Sequence, residues 1–93
     1  MKRDLVKTAQ IFKAFSVAIR LEILDLLKNG ELCACVLLDK LDLTQSGLSY
    51  HMKILIESGI VTAREEGKWV HYTISEQGRQ KIIQMFLEST ARN

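Results

Sequence analysis

The chain has 93 residues, with 13 lysines and arginines against 11 aspartates and glutamates, a formal charge of +2, two cysteines and no proline. That length bounds one small domain in which a second subunit can matter to stability, and so balanced a charge does not by itself argue for nucleic acid. No apolar run approaches the roughly 18 residues of a membrane span, and the charged start "MKRDLVK" runs into an amphipathic pattern rather than a secretory signal, so a soluble, cytoplasmic chain with no membrane partner is expected.

Leu5, Ala9, Phe12 and Phe15 recur at three- and four-residue spacing and predict a first helix over residues 5–15. A second begins near Ala18 with Ile19, Ile23, Leu26 and Leu27 on one face; "KNG" ends it, Lys28 suiting the negative helix end and Gly30 the left-handed cap. A third, short helix is expected over residues 33–40. "LDLTQSGLSYHMKILIESG" then gives Thr44 as N-cap of a fourth helix that buries Leu48, Met52 and Leu55, with Ile56 beside them, until Gly59 stops it. "IVTAREEGKWVHYTI" has β-rich arms over residues 60–64 and 68–74 around a turn with Gly67, a hairpin. A last amphipathic helix over residues 76–88 turns Ile82, Ile83, Phe86 and Leu87 inward.

The order ααααββα is mainly α with one β-hairpin, read as a single domain over residues 1–93. A helix pair over residues 33–58 followed at once by a hairpin over residues 60–74 makes a winged helix-turn-helix arrangement, although a helix pair beside a hairpin can also be packing alone. Opposite the apolar face of the fourth helix stand Gln45, Ser46, Ser49, Tyr50 and Lys53, side chains able to meet bases and phosphates, concentrated in the half of the helix that docks into a groove; any surface helix also has a solvated polar face. The hairpin tip offers Arg64, Lys68 and His71 to a phosphate, diluted by Glu65 and Glu66, while Trp69 and Tyr72 read as hairpin packing.

The cysteines, Cys33 and Cys35 in "ELCAC", are expected as thiols rather than a structural disulfide, which leaves ligand, redox sensor or plain packing. On a regular helix positions i and i+2 point about 200° apart, so one ion could engage both sulfurs only if the first turn unwinds or tilts. Their place at a helix start favours the thiolate through the helix dipole.

"ELCAC", "LDLTQSGLSYHMKILIESGIV" and "GKWVHYTIS" together resemble the arsenic-responsive repressors of the ArsR family, winged-helix dimers that leave their operator when metalloid binds. The resemblance implies that Gln45, Ser46, Ser49 and Tyr50 contact operator DNA, that Cys33 and Cys35 hold the inducer, and that the first and last helices form the dimer, through Leu5, Phe12, Ile82, Ile83 and Phe86. His51, in the same motif, reads as a packing or phosphate-side histidine. The partner implied is double-stranded DNA carrying an imperfect inverted repeat. No cofactor is required, and the inducer is trivalent arsenic or antimony.

The chain departs from longer versions of the motif: Leu38 stands where they have a third cysteine, Val36 where many members are acidic, and "SVAIR" lacks the usual proline. Residues 1–32 supply no cysteine for a cadmium or lead site, and residues 76–93 no histidine or aspartate for a zinc site, so two thiolates from one subunit are expected to hold arsenic, with solvent or a small thiol in the third position. A redox-responsive or other soft-metal-responsive repressor of the same fold is an alternative, as is a small metal-trafficking protein using its C-x-C. An enzyme is not expected: the histidines are His51 and His71 alone, without a glycine-rich phosphate loop or a paired acid and base.

Overall fold

Helix starts in this chain are set, with α2 as the exception, by side chains that accept the first free N–H groups. In the computed structural model, which describes residues 4–92, Asp4 caps α1 (Leu5–Lys13), Thr44 caps α4 (Gln45–Ser58) and Ser75 caps α5 (Glu76–Thr90). Helix α3 (Ala34–Lys40) is capped by a sulfur, that of Cys33, while α2 (Ala18–Leu27) has no side-chain cap. The outer ends of the expected 1–93 unit, residues 1–3 and 93, lie outside the described residues.

Strands β2 (Val61–Glu66) and β3 (Trp69–Ile74) form the expected hairpin, with Val61 opposite Ile74 and Glu66 opposite Trp69. A third strand was not expected: β1 (Leu32–Cys33) pairs antiparallel with β3, Leu32 opposite Tyr72 and Cys33 opposite His71, giving the order β1-β3-β2. Two residues are too few to show an alternating pattern. The third helix accordingly begins at Ala34, one residue later than its sequence pattern suggests.

The core gathers Ile23 and Leu27 of α2, Leu37 of α3, Met52 and Leu55 of α4 and Val61 of β2, all fully buried, with Leu41, Leu48, Ile60 and Tyr72 around them. Each large side chain removed from water contributes about 1.5–3 kcal/mol, so this cluster fixes α4 against α2, α3 and the sheet. Two expectations of burial fail. Ile56 is 39% exposed, and in α5 only Ile82 packs toward the core, while Ile83, Phe86 and Leu87 are 44%, 57% and 55% exposed. A step of one residue turns a helical side chain by about 100°, which carries Ile83 off the face that Ile82 occupies.

Candidate nucleic-acid interface and the cysteine pair

Burial of Leu48, Met52 and Leu55 along one side of α4 leaves Gln45, Ser46, Ser49, Tyr50 and Lys53 exposed on the others. The exposed Thr44 accepts the Gly47 N–H at 3.0 Å through its hydroxyl oxygen, which also lies 3.3 Å from the Ser46 hydroxyl. The start of α4 thus combines free N–H groups, a positive dipole end and short hydrogen-bonding side chains, a combination suited to phosphates and base edges.

The hairpin closes through Gly67 and Lys68 alone, with φ +63° at Gly67 and no positive φ at Lys68, the sign pattern of a type II′ turn. Gln45, Ser46 and Ser49 share one open cleft of about 370 Å³ with Lys68 and Trp69, so the start of α4 and the hairpin turn face a common concavity. Trp69 is 40% exposed in that cleft rather than packed within the hairpin, whereas Tyr72 is buried as expected.

Arg64 is not a tip residue. It lies within β2 opposite His71, donating to both carboxylate oxygens of Glu31 at 2.7 and 2.8 Å and to Glu66 at 3.1 Å. Two acids therefore occupy the guanidinium, and the hydrogen bonds from Arg64 hold the Glu31 carboxyl below its ordinary range. His71 is likewise mid-strand, with Nε2 3.8 Å from Glu66. Lys68 is left as the basic side chain at the turn itself.

Cys33 and Cys35 are joined in a disulfide, which corrects the expectation of two thiols. The helical geometry that should keep them apart does not apply, because Cys33 precedes α3 in extended conformation (φ −67°, ψ 146°) and its sulfur folds over the helix start to accept the Cys35 N–H at 3.1 Å. The sulfurs meet without any unwinding of the first turn. They lie at the junction of β1, paired with β3, and α3. Among the described residues no group of three or more histidine, cysteine or acidic side chains is placed to hold a metal ion.

His51 sits on the half-buried side of α4, its Nδ1 3.1 Å from Nη1 of Arg20. Burial, then the nearby Arg20 charge, lowers its pKa below the ordinary histidine value. Arg20 is not among the residues singled out by sequence motif, although its spacing from Ile23 and Leu27 places it on the buried face of α2. Phe12 of α1 meets Phe86 of α5 edge to face at 5.9 Å and 80°, and Phe86 itself and Leu5, Ile83 and Leu87 of the same two helices remain exposed.

A helix pair in the core, a polar face on α4 and a β-hairpin sharing its cleft define a winged helix-turn-helix protein. The profile of the bacterial regulatory protein, arsR family, matches residues 18–63. An uncharacterized HTH-type transcriptional regulator of Methanocaldococcus jannaschii is 45% identical over 80 residues, 85% of this chain and 90% of the relative. The arsenical resistance operon repressor of Staphylococcus aureus is 46% identical over 74 residues, 80% of this chain and 71% of that one. The solved structure of HlyU from Vibrio cholerae superposes with a TM-score of 0.74 at 32% identity, over 99% of this chain and all of the other. The chain belongs to the ArsR family of transcriptional regulators.

Proposed function

We propose that the protein is a cytoplasmic, metalloid-responsive repressor, a two-fold dimer that binds an imperfect inverted repeat and leaves it when trivalent arsenic or antimony joins Cys33 and Cys35. The observation that carries this reading is the meeting of the two sulfurs at the cap of α3. Its support from relatives is the S. aureus protein, named an arsenical resistance operon repressor. Gln45, Ser46, Ser49 and Tyr50 read bases, Thr44 orients the helix start, and Lys53, His51 and Lys68 meet phosphates; Arg64 braces the wing and leaves the contact set. No catalytic step or cofactor is needed.

Reduction of the disulfide by two electrons and two protons from a thiol reductant supplies the free pair. As(OH)3 then exchanges two hydroxyls for the two sulfurs, forming two As–S bonds and releasing two waters. Its third position keeps hydroxide or takes a small thiol. Arsenic on Cys33 withdraws the sulfur that caps α3 and loads the β1–β3 pairing, so metalloid and operator favour different arrangements and each weakens the other by the same factor, typically about 5–150-fold.

The closed disulfide also favours a second reading, a repressor released by oxidation, in which the pair passes two electrons and two protons to a disulfide or peroxide oxidant. A footprint on the DNA upstream of the protein's own gene separates the two. Reduced protein should protect two half-sites, and arsenite under strict reduction should abolish protection. Cys33→Ser and Cys35→Ser should each still bind and no longer release. Release by oxidant but not by arsenite would replace the first reading with the second.

A further inference from the structure

Among the described residues Arg20 is the one charged side chain in the interior, 6% exposed. Its Nε donates to the Ala14 carbonyl at 2.7 Å and its Nη1 lies 3.1 Å from His51 Nδ1. Neither partner is an acid. The charge is offset instead by the carbonyl end of α1, of which Ala14 is the C-cap.

A guanidinium has donors only and keeps its charge at any pH a protein meets. Facing it, Nδ1 of His51 must accept, so the ring proton sits on Nε2. A second proton on the ring would set N–H against N–H and cation against cation, in keeping with the lowered pKa of His51. No other hydrogen bond engages His51 among the described residues, which leaves its Nε2–H free, and the Tyr50 ring meets the imidazole edge-on at 5.2 Å and 69°. Beside it, an open cleft of about 450 Å³ between α1 and α4 is lined by Lys7, Lys13, Arg20 and Tyr50, with Glu57 as the one acid in its lining.

We propose that Arg20 is a positioning residue for DNA binding: it fixes His51 as the neutral tautomer protonated at Nε2, so that α4 presents an N–H donor to a backbone phosphate. A phosphate, rather than a base edge, suits a histidine turned about 200° around α4 from Ser49, beside Arg20 and Tyr50, which line the cationic cleft. This role rests on the reading that α4 binds DNA.

Histidine-labelled full-length protein, free of DNA, should show by nitrogen NMR an unprotonated Nδ1 and a protonated Nε2 at His51. Arg20→Lys, which keeps the charge without the fixed fork, should give a tautomer mixture and weaker binding. His51→Asn places an acceptor where Nδ1 lies and has no second donor beyond it; it should keep wild-type melting and lose about tenfold to a hundredfold in operator affinity, alike on all sequences. A proton on Nδ1 in the free wild-type protein, or a His51→Asn protein of unchanged affinity, overturns the role while leaving the DNA reading intact. Wild-type protein that binds no duplex sinks that reading and this role with it.

Discussion

Gly78, in the first turn of α5, lies so close to the backbone carbonyl of Gly59 that a Cβ at position 78 would run into it. Gly59 ends α4 in the left-handed region at φ +91°, which only a residue without a side chain enters at little cost. Around this contact the Ser75 N–H donates to the Ile60 carbonyl at 2.8 Å, and the Ser75 hydroxyl accepts the Gly78 N–H at 2.9 Å. The start of α5 is thereby seated on the end of α4.

Gly78→Ala should destabilise the fold by about 1–3 kcal/mol. Alanine is the better helix former by roughly 1 kcal/mol, but here its methyl meets backbone, which cannot swing aside as a side chain can. Urea unfolding measures the difference, and a midpoint at or above that of the wild type would show that α5 shifts without penalty.

Reading and anchoring separate by their salt dependence. Gln45→Ala or Ser49→Ala should cost about 1–3 kcal/mol on the operator and change base preference, while Lys68→Ala should weaken all sequences alike and lower the salt slope by about one. Arg64→Ala should leave that slope unchanged, because Glu31 and Glu66 already occupy its guanidinium. Titrations at several salt concentrations decide both points, and a Lys68→Ala protein with an unaltered slope rules out the wing contact.

Acid should weaken the fold in two stages. His51 is held below its ordinary 6.5 by burial and then by Arg20, so as pH falls through 6.5 the unfolded chain takes up the proton first and stability declines until the folded histidine also titrates. The Arg64 hydrogen bond holds Glu31 below its ordinary 4.5; its contribution is complete above that value and is lost as pH falls through the lower folded one. Urea midpoints measured across the acid range should lose the first decline in His51→Asn and show a smaller second one in Glu31→Gln, the remainder coming from Glu76, held low by its hydrogen bond from Gln80. An unchanged first decline in His51→Asn would assign it to another group.

Much of α4 is legible in the sequence because each signal is local. Thr44, Gly59 and the spacing of Leu48, Met52 and Leu55 fix the ends and the buried face of α4 within a single stretch of sequence. What stayed hidden depends on partners far along the chain. The pairing of Leu32 and Cys33 with β3 lifts Cys33 out of the helix and lets the sulfurs meet, and no two-residue pattern announces it. Arg64 is paired with Glu31, 33 residues away, a partner that no local pattern announces. Arg20 could have been found, since helical spacing puts it inward with Ile23 and Leu27, but a charged residue in an apolar pattern reads as solvent-facing.

A second copy of the chain should cover the outer face of α1 and α5. Leu5, Val6, Phe86 and Leu87 are each more than half exposed, and Ile83 is 44% exposed, on two helices joined by the Phe12–Phe86 contact. A single copy of the chain would leave that apolar surface in water, while a second copy related by a two-fold axis can cover it with the same residues. The same axis would set two readers about one DNA turn, or a multiple of it, apart, matching an inverted repeat. Phe86→Glu should therefore separate the subunits. Burying a phenylalanine contributes about 1.5–3 kcal/mol, and the two-fold axis counts each change twice, so the dimer dissociation constant should rise about a hundredfold or more. Sedimentation equilibrium reads the mass directly, and footprinting of the variant should show protection lost from both half-sites together, since one reader alone binds too weakly. Wild-type protein that sediments as a monomer at micromolar concentration and protects a single half-site would end the dimer reading.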